Sequence, residues 1–520
     1  MTSENVEVTS ENELIDPALD ALDLNRPHPS THHYKWDDDM SDLTDLDESD
    51  GELTLSPTDA LPSTTDYREK DEREEGEISD DTELKDKTDT ERKSLNRKRH
   101  QRGRSARTLK EAKQLKAAQD VQKQVLAAVY GCSPEKVHIY NVRRDAMALS
   151  MLQDQEEENK GALTRANVDK ICPDFQWIHE SGIHLGFLFE RGGEGLVLVF
   201  AVRIRAWDGM ESNARIEIQE TLQIVMDCGD NAYPINNNAA AKFSPATPAP
   251  PPAHGVRGSR GIAMEPPCGV MYGLGWHLSQ ELGKSLVNYA PNRKDPESLA
   301  IYMAQNAKLP RVAALYRQGL STLFPAGANT LQAVADRDGV LSFADKLDGV
   351  SAERPFANSL TATKCGFCNR QHCDKDHAPA AYGLWWEAIC NAKGKECKFD
   401  QNAEHNKTKG GEFVWGAFKV GVDFERAQGL VEIFWRGQFD FHGTLSSTDD
   451  DGFTRFGTSI QITAKGVNAM HKVWNVAELA QSGHNVHNLT RKSRVTTPQN
   501  RFDRGMAEQS TSKKRKTRNK

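Results

Sequence analysis

From Phe356 to Thr463 this chain is written as a series of β-strands, and that tract limits the folds open to it. In "GLVEIFWRGQFDFHG" (429–443) the residues alternate, with Val431, Ile433 and Trp435 on one side. After the turn "STDDDGF" comes "FTRFGTSIQIT" (453–463). It sets Arg455, Gly457, Ser459 and Gln461 on one face and Phe456, Thr458, Ile460 and Ile462 on the other. One face is polar and led by an arginine, and the other is apolar. Upstream, "GLVLVFAVRIRAW" (195–207) is apolar and β-branched enough to be a buried strand. "DPESLAIYMAQNAKLPRVAALYRQGLSTLF" reads as two helices, with Asp295 as the cap, Pro296 in the first turn and Pro310 between them. Helices first and strands after predict an α+β domain with a β-sandwich or barrel core.

The rest of the chain is organised by charge. Residues 1–90 carry about 22 net negative charges and few large apolar residues. They cannot bury enough surface to offset chain entropy, and disorder is expected. Within them Trp36, Met40, Leu43 and Leu46 are spaced among acids. That suits an interaction segment for protein partners, and an inert acidic tail accounts for the same letters. Residues 91–160 hold a basic segment and then a helix with Val121, Val125 and Val129, stopping at Gly131. The basic part could lie on phosphates, act as an import signal, or be a solvated helix. A folded domain is expected over 165–490, with a low-complexity insertion at 236–261. The tail, 491–520, ends in "SKKRKTRNK", a run of the nuclear-import type, so a nuclear location is expected. No run approaches the ~18 apolar residues of a membrane helix.

The chemistry concentrates in "NRQHCDKDHAPAAYGLWW" (369–386). In an extended chain His372, Asp374 and Asp376 share a face, with Cys373 and Lys375 on the other. An imidazole and a carboxylate converging from alternate positions supply two ligands for a metal, and His442 is the candidate third. Two histidines and one carboxylate form the facial triad of non-haem Fe(II) oxygenases. Arg455, one hairpin beyond His442, is placed as a clamp for a carboxylate. Iron, a carboxylate clamp and a small residue beside it make up a 2-oxoglutarate site.

"ANSLTATKCGFCNRQHCDKD", "FHG" and "FTRFGTSIQIT" resemble the catalytic core of the TET/JBP nucleic-acid dioxygenases, most of all the fungal, transposon-associated branch. "GLGWHLSQELGKSLVNYAP" (273–291) is similar to the segment before that core, and the likeness runs over about 180–475. The resemblance implies a double-stranded β-helix (jelly-roll) core with flanking helices. It implies Fe(II) on His372, Asp374 and His442, and 2-oxoglutarate on Arg455 with Ser459. O2 is the oxidant, and 5-methylcytosine in double-stranded DNA, flipped out of the duplex, is the substrate. The product would be 5-hydroxymethylcytosine, with onward oxidation open. Asp376 and His377 are candidates for touching the base, and Asn369 and Arg370 for the other end of 2-oxoglutarate.

Other readings stay open. The same scaffold could act on N6-methyladenine, RNA or protein. Cys365, Cys368, Cys373, Cys390 and Cys397 crowd the motif, and such a set could hold zinc in a non-enzymatic DNA-binding module or consist of buried thiols. Trp385, Trp386, Trp415 and Trp435 are expected in the core or as stacking platforms, and His277, His405, His484 and His487 at the surface.

Overall fold

The computed structural model describes residues 117, 119–159, 161–189, 196–232, 234–235, 269–279, 285–289, 296–345, 354–391, 394–399, 405–474, 495–497 and 503. The acidic region 1–90, the basic segment up to 116, the insertion 236–261, Asp295, His484, His487 and most of the basic tail lie outside these residues.

A helix over 119–130 ends at Gly131, whose φ of 60° lets the chain reverse after it. Then follow β1 (Val137–Val142), α1 (Ala146–Glu158), α2 (Arg165–Ile171), β2 (Gln176–Ile178), β3 (Gly182–Phe189), β4 (Leu196–Arg205) and α3 (Ser212–Asn231). After the insertion come β5 (Val270–Leu278), β6 (Leu286–Asn288), α4 (Pro296–Asn306), α5 (Leu309–Leu323) and α6 (Pro325–Asp338). The strand-rich part is β7 (Ser359–Lys364), β8 (Asn369–His372), β9 (Ala381–Ile389), β10 (Thr408–Gly410), β11 (Phe413–Trp415), β12 (Val420–Val422), β13 (Leu430–Trp435), β14 (His442–Thr444), β15 (Ser447–Asp449) and β16 (Phe453–Gln461). The helix α7 (Ala464–Trp474) and the short β17 (Val495–Thr496) close the described fold.

The larger sheet has the order β1-β3-β4-β13-β9-β16-β7-β5-β6-β17, and the smaller β2-β12-β11-β14-β8. Strands consecutive in the chain alternate between the two sheets: β7 in the large one, β8 in the small, β9 in the large, β11 and β12 in the small, β13 in the large, β14 in the small, β16 in the large. The chain therefore winds a double-stranded β-helix, as expected.

The alternation along each strand decides the layers. Tyr382, Leu384, Trp386, Phe434, Phe456 and Ile460 pack outward onto Leu222, Val225 and Met226 of α3 and Val312, Tyr316 and Leu320 of α5. Trp385, Val431, Ile433 and Trp435 point the other way, onto Phe413, Trp415, Val420 and Val422 of the small sheet. Beyond the small sheet, Ala148 and Leu152 of α1 and Val168 of α2 cover Val414 and Leu445. Each large apolar side chain so buried contributes about 1.5–3 kcal/mol.

Three boundaries differ from the sequence expectation. β1 pairs in parallel with β3, and α1 covers the small sheet, so the folded unit begins upstream of residue 165. Pro310 lies in the first turn of α5 rather than between helices, since that turn needs no N–H from it. A further helix, α6, follows directly at Pro325.

Candidate active site

β8 is the edge strand of the small sheet, and its neighbour β14 begins at His442, directly opposite His372. Strand pairing thus sets the two imidazoles side by side, with ring centroids 4.6 Å apart. The strand β8 ends at His372, after which the Asp374 N–H donates to Gly437 O at 2.8 Å. This turns the Asp374 carboxylate back between the rings: Oδ1 lies 3.3 Å from His372 Nε2, and Oδ2 3.3 Å from His442 Nε2. The three ligand atoms fall within 4.8 Å of one another, the one such group among the described residues.

Backbone carbonyls fix the tautomers. His372 Nδ1 donates to Arg370 O at 2.8 Å and His442 Nδ1 to Asp440 O at 3.0 Å, which leaves both Nε2 atoms facing Asp374. The carbonyl under His442 is itself held, because the buried Asp440 carboxylate accepts from Arg436 Nε (2.7 Å) and Arg144 Nη2 (2.7 Å). On the other side Glu156 of α1 accepts the outward N–H of Gln371. Gln461 Nε2 donates to Asp374 Oδ2 at 3.0 Å. Burial penalises the Asp374 charge, and the His442 and His372 imidazoles outweigh it and hold its pKa below the usual carboxylate range. Burial likewise works against a charged His372, and Asp374 raises its pKa above the ordinary histidine value. An ionised carboxylate between two oriented imidazoles is a donor set for a divalent first-row metal.

Residues 256–447, which include this triad, match the family model described as the Tet-like 2OG-Fe(II) oxygenase superfamily. The segment carrying the site belongs to that superfamily. No curated protein matches the chain. Among solved structures, NgTET1 in complex with 5mC DNA matches with a TM-score of 0.30 and 11% identity, over 62% of this chain and 91% of that one. The fold rests instead on the strand pairing given above. The description of that superfamily implies Fe(II), 2-oxoglutarate and O2 as its reagents.

A cavity of about 520 Å³ opens beside the triad. Arg455, Gly457, Ser459 and Gln461 of β16 all line it, as their alternation predicts. Gly457 leaves room for the indole of Trp385, since a Cβ there would stand 2.5 Å from Nε1. Ser459 Oγ, Trp435 Nε1 and Asn369 Oδ1 are buried polar atoms without a hydrogen-bond partner, and all three residues line the cavity. Buried polar atoms left so are expected where a polar ligand completes them. The residues present therefore fit both a metal and a small polar co-substrate.

Arg455 lies deeper than the sequence suggests. Its Nε donates to His405 Nδ1 (3.2 Å), Nη2 to His405 O (2.9 Å) and Thr408 O (2.6 Å), and Nη1 to Gly410 O (2.5 Å). One of its five N–H groups, on Nη1, has no described protein partner. A carboxylate in the cavity meets a single donor of Arg455, with Ser459 Oγ for company, rather than a two-pronged fork.

The other expectations divide. Asn369 lines the cavity, with Nδ2 3.4 Å from His372 Nε2. Arg370 does not: its guanidinium pairs with Glu157 of α1. Asp376 and His377 do not line it either. Because β8 ends at His372, Asp376 does not continue the alternation, and it is buried at a bridge to Thr463. Burial, with Asp374 nearby, pushes the Asp376 carboxyl well up. His377 Nε2 lies 2.8 Å from Asp338 Oδ2 at the end of α6. His405 is fully buried, not at the surface, and His277 stacks on Tyr289 at 4.0 Å. Trp385 and Trp435 line the cavity, while Trp386 and Trp415 are core. Cys390 and Cys397 form a disulfide, and no metal-ligand group among the described residues includes a cysteine, Cys365, Cys368 and Cys373 among them. Glu387, Glu412 and Glu156, all buried beside the site, carry no local sequence signal, because their neighbours arrive from distant segments.

Proposed function

We propose that this chain oxidises the methyl group of 5-methylcytosine in DNA, giving 5-hydroxymethylcytosine. The observation that carries the reading is the convergence of His372, Asp374 and His442 at one wall of a cavity whose other end holds Arg455 and Ser459. His372, Asp374 and His442 would hold Fe(II), and the Arg455 Nη1 donor with Ser459 Oγ would hold the far carboxylate of 2-oxoglutarate. With O2, bound Fe(II) and 2-oxoglutarate would supply an oxidant able to take hydrogen from the methyl group of the base. The protein's part is orientation. Two backbone carbonyls hold the imidazole Nε2 atoms toward Asp374, and the rings of Phe413, Trp385 and Trp435 line the cavity.

A base reaches such a cavity only when flipped from the duplex. Support for DNA comes from the TET/JBP likeness of the flanking sequence and from the basic runs at 91–116 and 491–520, which suit phosphates. The same tail supports a nuclear location. The test is incubation with Fe(II), ascorbate, 2-oxoglutarate and a duplex carrying 5-methylcytosine, with mass spectrometry of the nucleosides. Hydroxymethylcytosine that requires 2-oxoglutarate is the expected outcome. Consumption of 2-oxoglutarate without change in the base would keep the oxygenase and move the substrate to N6-methyladenine, RNA or protein.

A further inference from the structure

Behind Arg455 lies a set of carboxyl groups that the reaction does not use. Glu387 of β9 stands directly across from Arg455 of β16. It is 1% exposed, and its Oε2 has no hydrogen-bond partner. Its Oε1 lies 2.9 Å from Thr408 Oγ1, and that same hydroxyl lies 2.8 Å from Asp449 Oδ1. A hydroxyl carries one proton, so both contacts are hydrogen bonds only if one of the two carboxyl groups carries a proton of its own.

The surroundings say which. Asp449 Oδ2 accepts from the Thr454 hydroxyl at 2.6 Å, and the Thr454 oxygen accepts from Cys365 N–H at 2.7 Å. Asp449 thus receives two hydroxyl donors and suits the ionised form. Glu387, fully buried with an oxygen unpartnered, suits the acid, donating to Thr408. The chain then runs Glu387 to Thr408 to Asp449 in one direction.

Resting on the oxygenase reading above, we propose that Glu387 serves as a neutral carboxylic acid which leaves Arg455 open to a ligand carboxylate, so that 2-oxoglutarate binding weakens once Glu387 ionises. A neutral Glu387 leaves the guanidinium charge to the co-substrate; an ionised one opposes the incoming carboxylate within the same buried site. Glu387 is thus a positioning residue, acting through Arg455.

The other charged groups packed here are Glu412, Asp449, Asp450, Asp423 and Arg165. Glu412 is also buried, with Oε2 unpartnered. His405 stays neutral, its pKa brought down to about 3 by burial and then by Arg455. Burial raises Glu387 to about 8, with Arg455 and Thr408 opposing, and raises Glu412 to about 7. The switch therefore falls in an accessible range.

The experiment is calorimetric titration of 2-oxoglutarate into Mn(II)-loaded protein, without O2, between pH 6.5 and 9, for the unaltered chain and Glu387→Gln. Metal loading is verified at each pH. The expected result is affinity that falls above about pH 8, approaching tenfold per pH unit, and a flatter profile in Glu387→Gln. An equal fall in both proteins, or none in the unaltered chain, overturns the proposal and leaves the oxygenase reading standing. Absence of 2-oxoglutarate binding at every pH overturns that reading and this inference with it. Should Glu387→Gln fail to fold, proton uptake by the unaltered chain decides, from titrations at pH 8 in buffers of different ionisation heat. Uptake of a fraction of a proton supports the proposal, and none refutes it.

Discussion

Gln461→Leu is the sharpest probe of how the triad is held. Gln461 leaves the polar face of β16 and donates from Nε2 to Asp374 Oδ2 at 3.0 Å, on the same oxygen that faces His442 Nε2. Leucine keeps much of the volume and removes the amide with its donor to Asp374. A hydrogen bond to a charged group contributes about 1.5–3 kcal/mol. At about 1.4 kcal/mol per factor of ten, its loss should weaken metal binding by roughly 10- to 100-fold. Outer partners of metal ligands generally cost about the same when removed. The assay is anaerobic titration of Fe(II) or Mn(II) into metal-free protein, with melting temperatures to show that the fold persists. Binding within twofold of the unaltered chain, in a variant of normal stability, would refute the argument that Gln461 orients the Asp374 carboxylate. His372→Ala in parallel separates that failure from failure of the triad itself.

His372→Ala and His442→Ala should each abolish metal-dependent consumption of 2-oxoglutarate while leaving circular dichroism unchanged; retained turnover in either would remove the triad from the mechanism. Ser459→Ala should raise the KM for 2-oxoglutarate by about 5- to 10-fold without lowering Tm, because Ser459 Oγ has no protein partner to lose. Triple replacement of Cys365, Cys368 and Cys373 by serine should leave metal content at one ion per chain by atomic absorption, since the thiols lie outside the ligand group. Stability should decline with rising pH. Burial raises Glu156 and Glu412 to about 7 and Glu387 to about 8, above the ordinary 4.5. Raised acids add stability that is complete below the unfolded value and is lost progressively from about pH 4.5 up to 7–8, each on the order of 3–5 kcal/mol in total. Thermal melts from pH 4 to 9 read this directly, and a flat profile between 5 and 8 would show that these groups are not buried as acids.

The sequence by itself determined what depends on local periodicity. Alternation along 453–463 assigned Arg455, Gly457, Ser459 and Gln461 to one face, and all four line the cavity. The same rule put Val431, Ile433 and Trp435 inward on β13. Period-two geometry is a property of the strand alone, so it needs no knowledge of the partner. It misled where the strand stopped. His372, Asp374 and Asp376 alternate in the text, yet β8 ends at His372, and only the bond from Asp374 N to Gly437 O decides that Asp374 turns inward while Asp376 goes to Thr463. His405, expected at the surface, is buried because Arg455 and Gly429, 50 and 24 residues away, close over it. Glu387 reads as one acid at the end of a buried strand, and its role emerges only when β16 places Arg455 opposite and β10 brings Thr408. Tertiary structure decided these points because hydrogen bonding and dielectric are set by whatever the winding of the two sheets brings alongside, not by the neighbours in sequence.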